Sequence, residues 1–375
     1  MARRTLQLVK EFLFPDSAEH RAIPVLDGGL SPNDELGSFE ELTPPGDLEP
    51  LDVLPTAGGV LASSGDAVWR IPAGGSGPEP FARLAGAAGP LAADAAGNVL
   101  VGVSGEGLVS LDAAGVPTPL CRDAAGGPLA CLTALWVAAD GTIYATEGSI
   151  SSPREDWPRN LLERKHDGRL LAIEPGTGSA RVVADGLAWP AGVCPAGDAD
   201  HVLVTESWRH RIVRISTDTG ATEVVRDNLA GYPAQIHADT GGRYWLCFLS
   251  LRSHLVEFVL REDEYRRDML ASVPPEFWIR PALRTTGERW EPLQIGQVKH
   301  LNVTKPWAPP RSYGLVARMD ALGTFETSFH SRAGGVRHGC LSARPDSGGL
   351  LVACAGGRVV LRSPALSAET PEVRR

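Results

Sequence analysis

The chain has 375 residues, with 36 Lys and Arg against 45 Asp and Glu, for a formal net charge of -9. An acidic surface repels phosphate backbones, and no basic run offers a local exception, so nucleic acid is excluded as an expected partner. Hydrophobic residues at 43% and charged residues at 22% are ordinary globular values, which excludes a largely disordered chain.

Residues 1–45 carry no repeating pattern and are read as an N-terminal extension: a short helix or strand around Leu6–Phe14, then an acidic, Pro-containing linker. Met1-Ala2-Arg3-Arg4 looks like a signal n-region, but Lys10, Glu11, Asp16 and Glu19 interrupt any apolar h-region. No apolar run approaches the roughly 20 residues that span a bilayer. The expectation is a cytoplasmic protein that starts near Met1 and has no membrane partner.

From residue 46 onward one pattern recurs: a glycine or acidic turn, an apolar strand, a short polar gap and a second strand. It occurs at Gly59–Ala62 with Ala67–Ile71, and at Asp94–Val101 with Gly107–Leu111. It returns at Asp140–Tyr144 with Gly168–Ile173, and at Val202–Glu206 with Arg211–Ile215. The last copies are Gly242–Leu246 with Leu315–Met319, and Gly349–Val352 with Arg358–Leu361. Most units are about 40 residues long, the size of a four-stranded propeller blade. One such sheet cannot bury both faces, whereas radial packing buries them and leaves only short edges. The predicted fold is all-β: a six-bladed β-propeller over residues 46–364, with one chain terminus supplying a closing strand and a C-terminal tail over 365–375.

Two insertions interrupt the repeat. Residues 146–166 form a loop rich in Ser, Arg and Glu. Residues 252–311 form a larger one within the fifth blade. In it, Leu255, Phe258, Val259 and Met269 fall near one helical face, and Val273-Pro274-Pro275 stops the helix. Trp278, Trp290 and Trp307 follow between prolines. An insert this long in a compact ring reads as a functional cap.

The six cysteines include no CxxC pair, which disfavours a zinc site of the usual spacing. Cys194, Cys247, Cys340 and Cys354 lie in strand-like apolar stretches and read as buried thiols. Cys121 and Cys131 flank a Gly-rich loop, where a disulfide and two free thiols both remain open. No Gly-x-Ser-x-Gly elbow, His-Glu-x-x-His or phosphate loop occurs.

The stretch Gly168–Leu249 resembles the strictosidine-synthase-like family, within the gluconolactonase and calcium-dependent lactonase superfamily. Gly168-Arg169-Leu170-Leu171 followed by Asp185-Gly186-Leu187-Ala188-Trp189-Pro190-Ala191-Gly192-Val193 looks like the family's "GRLL…DGLxFPNGV" segment. His201–Glu206, Gly231–Ile236 and Gly242–Leu246 match its "VLVAE", "GYPDNI" and "GGxWV" segments. The resemblance covers roughly residues 46 to 362, is specific in order, and is nearest the subgroup that includes the adipocyte plasma membrane-associated protein. It implies a site at the mouth of the propeller channel.

Metal-dependent members bind calcium there through one Glu and several Asn or Asp side chains. By position, Glu49 stands where that Glu stands, while Thr133, Ala191 and Ala234 stand where amide or carboxylate ligands are found. Calcium takes about six to eight oxygen ligands, so the resemblance implies no metal and no cofactor here. Strictosidine synthase moves protons with a last-blade Glu, and the matching Cys340-Leu341-Ser342-Ala343 holds no carboxylate.

The candidate catalytic groups are Glu49, facing the channel from the first blade, His338 before the inner strand of the sixth, and Glu206 at the end of the best-matched strand. Each has an alternative role: Glu49 and Glu206 as partners of arginines, His338 as a structural histidine. Trp189, Tyr232 and Trp278, with Thr133, Ala191 and Ala234, are the candidate substrate-binding residues; the aromatics also suit blade packing. Three functions stay open. The first is a metal-free acid/base enzyme of secondary metabolism (condensing enzyme, lyase or isomerase) on a small-molecule substrate. The others are a lactonase or esterase-type hydrolase and a non-catalytic binding propeller. The oligomeric state is not read from the sequence.

Overall fold

The computed structural model describes residues 22–73, 77–285 and 312–364, together with the backbone of 299–300 and 303–304. The element expected at Leu6–Phe14, Trp290, Trp307 and the tail 365–375 lie outside the described residues.

Short apolar strands separated by tight turns rich in glycine and aspartate build the blades. Asp94 shows the device: its Oδ1 accepts the amides of Ala96 and Asn98 at 2.9 and 2.8 Å. Gly97 takes the left-handed φ of 85° that lets the chain reverse. The same side-chain-to-backbone turn recurs at Asp112, Asp140, Asp239 and Asp320.

Six four-stranded antiparallel sheets result. Blade 1 runs from Asp52–Thr56 to Glu79–Arg83, blade 2 from Ala88–Ala93 to Pro117–Cys121, and blade 3 from Leu132–Val137 to Ala180–Leu187. Blade 4 runs from Pro190–Pro195 to Thr222–Arg226, and blade 5 from Gly231–Ala238 to Phe325–Ser331. Blade 6 takes three strands from Cys340–Asp346, Gly349–Cys354 and Val359–Arg362, and its fourth from Glu40–Glu41. Glu40 pairs with Arg362 and Glu41 with Leu361, so the segment before blade 1 closes the ring.

The core is a ring of apolar layers between neighbouring blades. Leu54 and Val68 of blade 1 pack with Leu91 and Val101 of blade 2. At the closure, Val53, Val60 and Ile71 pack with Leu351 and Val360 of blade 6. Each such fully buried side chain contributes on the order of 1.5–3 kcal/mol. All six cysteines are buried and free, Cys121 and Cys131 among them. No helix among the described residues is long and apolar enough to cross a membrane.

The insertions form a cap. In the first lies α1 (Trp157–Glu163); in the second lie α2 (His254–Arg261) and α3 (Asp263–Ser272). The single helix expected over Leu255–Leu270 is therefore two. Glu262 leaves helical geometry, with φ -88° and ψ 83°, and Asp263 and Glu264 then open α3, where acidic side chains suit the positive end of a helix dipole. Val259 and Met269 are buried, as their spacing predicts, but Phe258 is exposed.

Candidate functional site

The inner strands of blades 2 to 6 share one irregularity near the same end of the channel. In blade 3, Leu132 pairs with Glu147 and Ala134 with Thr146, so Thr133 is an extra residue opposite a continuous partner. Ala191 is extra in blade 4 and Leu341 in blade 6. Register also shifts across Gly89-Pro90 in blade 2 and Ala234-Gln235 in blade 5. A β-bulge bends its strand and re-aims the side chain it carries. Pro90, Thr133, Ala191, Ala234, Gln235 and Leu341 all line one cavity of about 580 Å³ at the channel mouth.

Blade 1 contributes Glu49 and Leu51 from just before its inner strand. A device repeated around the ring fixes that approach. In blades 3 and 4 the glutamate ending the second strand accepts the amide two residues before the inner strand: Glu147 from Ala130 at 3.1 Å, and Glu206 from Ala188 at 2.9 Å. In blade 1 Ser64 Oγ accepts the amide of Glu49 at 2.9 Å. Glu49 thus starts from an anchored backbone, and its side chain, 44% exposed, meets Arg284 of the cap at 3.1 Å.

The walls are largely apolar and aromatic. Trp189 is buried and adopts a left-handed φ of 53°, a conformation that costs roughly 1–2 kcal/mol for a side chain with a Cβ and that clusters at binding sites. Its indole stacks on Trp208 with centroids 5.3 Å apart. Gly148 makes room beside it, since a Cβ there would lie 3.1 Å from the indole. Trp157 of α1, Leu249 and Leu283 complete this side.

Beneath the floor lies a polar network that the sequence reading missed. Asp52, fully buried, accepts the amides of Val53 and Leu91 at 2.8 Å each. It also accepts Ser342 Oγ at 2.6 Å and Arg344 Nη2 at 2.9 Å. His237 Nε2 lies 3.1 Å from Ser342 Oγ and accepts from the Gln235 side-chain amide nitrogen at 3.0 Å. Burial, and then the Arg344 guanidinium, hold the His237 pKa well below the ordinary value, so the imidazole is neutral at pH 7. Blades 1, 2, 5 and 6 are tied together here, and Gln235 joins the network to the cavity.

The structure thus brings Glu49, Thr133, Trp189, Ala191 and Ala234 together on the cavity wall and puts four other candidates elsewhere. Glu206 is fully buried in a clamp of Arg209 Nη1 at 2.7 Å and Arg211 Nε at 2.5 Å, turned from the channel by those arginines. His338 is buried between Ser312 Oγ at 2.8 Å and the Arg332 carbonyl at 3.0 Å, and burial lowers its pKa. Tyr232 is fully buried against Trp208 and His210, with its hydroxyl 3.5 Å from Glu257. Trp278 packs with Leu162, Val259 and Met269 and donates to the Val273 carbonyl at 2.8 Å, so it holds the cap together.

The four positions that correspond to calcium ligands line the same cavity, but their donors do not fit the ion. Thr133 Oγ1 already donates, with the Pro190 carbonyl 2.6 Å away. Ala191 and Ala234 offer methyl groups, and Glu49 is paired with Arg284. Among the described residues, no group of three or more His, Cys, Asp or Glu is arranged to hold a metal. One carboxylate and one committed hydroxyl fall short of about six oxygen ligands.

A family profile described as strictosidine synthase matches residues 133–219, from the bulge of blade 3 through the third strand of blade 4. Protein STRICTOSIDINE SYNTHASE-LIKE 4 of Arabidopsis thaliana is 31% identical over 155 residues, 41% of this chain and 42% of that protein. The adipocyte plasma membrane-associated protein of Bos taurus is 35% identical over 133 residues, 34% of this chain and 32% of its own length. The matches therefore span about two fifths or less of these relatives, 42% and 32%. A Xanthomonas campestris protein described as a gluconolactonase superposes with a TM-score of 0.53 at 14% identity, over 81% of this chain and 82% of its own. At that identity the likeness concerns the fold. Over the matched segment of blades 3 and 4 the chain is similar to the strictosidine-synthase-like family, and its six blades share the fold of the gluconolactonase-type propeller.

Proposed function

We propose that the protein is a small-molecule enzyme that works at the channel mouth by proton transfer, without a metal, in a condensation, elimination or isomerisation. The observation that carries this reading is the cavity itself. Five bulged inner strands turn their side chains into it, and a carboxylate with an anchored backbone stands on its wall. Indoles and leucines supply the apolar bulk of a small-molecule site, with a few polar groups to orient the ligand. Glu49 acts as the acid/base group. Arg284, reaching it from the cap, ties its position to the folding of the cap over the site.

The test is a metabolite panel incubated with purified protein and followed by mass spectrometry for product, in wild type and in Glu49→Gln. The expected result is turnover that falls on the order of 100-fold or more in the variant, the range of a general acid/base contribution, with substrate still bound. Full turnover in Glu49→Gln overturns the proton-transfer role. Turnover confined to lactones or esters, and dependent on calcium, favours the hydrolase reading instead. Binding with no turnover across the panel favours a binding propeller.

A further inference from the structure

Arg154 lies in the loop before α1 and reaches across to blade 2 at the cavity wall. Its Nη2 donates to the backbone carbonyls of Ala88 at 2.9 Å and Ala87 at 3.4 Å. A seat has been cleared for it, because a Cβ on Gly89 would fall 2.0 Å from Nη1. Among the described residues no carboxylate lies within ion-pair distance of this guanidinium. The buried arginines differ: Arg169 meets Glu147 at 2.6 Å, Arg252 meets Glu257 at 3.1 Å, and Arg266 meets Asp263 at 2.8 Å.

A half-buried cation normally has a counter-charge, because desolvation without one is costly. Burial indeed lowers the Arg154 pKa, although the guanidinium stays charged. The other charges at the site do not fill the gap. Glu49 is taken by Arg284, and Asp47 and Glu155 are exposed at the rim. Three residues beyond Arg154, Trp157 presents an indole to the cavity, and Trp189 presents another.

Resting on the reading of this cavity as a small-molecule site, we propose that its ligand is a small aromatic carboxylate. The anionic group seats on Arg154 and the ring lies against Trp157 and Trp189. An arginine fork matches a carboxylate in two parallel charge-assisted hydrogen bonds, so the neutral amide of the same ring binds less well.

The probes are 2-naphthoate and 2-naphthamide, with affinity read from tryptophan fluorescence quenching. Wild type is expected to prefer naphthoate on the order of tenfold, the effect of one charge-assisted contact. Arg154→Met should abolish the preference while still binding naphthamide. Gly89→Ala, which keeps the arginine but fills its seat, should reduce the preference severalfold, a second route if Arg154→Met folds poorly. Arg358→Gln, which removes the exposed cation on the cavity's lining, should leave it intact if Arg154 is the seat. Equal affinity for the two probes, no binding of either, or a preference that survives both Arg154→Met and Gly89→Ala overturns the proposal. Loss of the preference in Arg358→Gln alone does so too. These readouts involve no turnover, so they fail independently of the Glu49 assay.

Discussion

Replacing Asp52 with alanine tests the axial network. The carboxylate is fully buried and accepts five hydrogen bonds: Val53 N and Leu91 N at 2.8 Å, Ser342 Oγ at 2.6 Å, and Arg344 Nε and Nη2 at 3.3 and 2.9 Å. Alanine leaves the Arg344 side chain, only 14% exposed, without a counter-charge. It also leaves the Leu91 amide without its acceptor. Breaking a buried ion pair from one side costs about 3–5 kcal/mol. The orphaned amide belongs to the same event and is not added separately, since effects within one network do not sum. The assay is urea unfolding of wild type, Asp52→Ala and the double variant Asp52→Ala/Arg344→Leu, read from midpoint and slope. The double variant should be more stable than Asp52→Ala, because the stranded cation is gone. A loss in Asp52→Ala below about 1 kcal/mol, the scale of an exposed pair, or a double variant less stable than the single, refutes this account of the channel floor.

Acid should weaken the fold through two buried histidines. Burial pushes the pKa of His210 down to about 3 and that of His330 to about 4, from an ordinary 6.5. The unfolded chain then binds protons first, so stability present above pH 6.5 is lost as pH falls, down to about 4 for His330 and about 3 for His210. The slope is about 1.4 kcal/mol per pH unit for each; an unfolding midpoint unchanged between pH 7 and pH 5 contradicts this. Glu206→Ala should destabilise by several kcal/mol, about the 3–5 of a broken buried pair, and leave ligand binding by the folded fraction unchanged; a selective loss of binding would restore its place at the site. Gly148→Ala should crowd Thr133 and Trp189, both on the cavity wall, and weaken ligand binding in the fluorescence assay, whereas unchanged affinity contradicts the placing of ligand against this wall. Millimolar calcium should not raise the melting temperature, and a saturable rise overturns the donor-set argument.

The ring was legible because its signal is local and repeated. Each aspartate-glycine turn and apolar strand sits within a few residues of its partner, so spacing alone reveals the blades. The closing strand Glu40–Glu41 was not assignable by pattern. It is two charged residues held by backbone pairing to Arg362 and Leu361 across the whole chain length. Asp52 escaped notice for a related reason: its partners Ser342 and Arg344 are 290 and 292 residues away. Thr133, Ala191 and Ala234 could be placed only through the family resemblance, because a bulge leaves no mark in composition. Tyr232 and Trp278 went to packing while Trp189 reached the cavity, since an aromatic ring serves both purposes and the sequence does not separate them. Arg154 was passed over as one polar residue in a loop; its meaning depends on Gly89, from another blade.

The mouth-of-channel site is proposed to work through Glu49 and not through a bound ion. The most direct measurement is turnover of the panel's best substrate by wild type before and after exhaustive chelation, beside Glu49→Gln under the same conditions. The rate should be unaffected by chelator and reduced on the order of 100-fold or more by the substitution. A rate that collapses on chelation and returns with added calcium contradicts it.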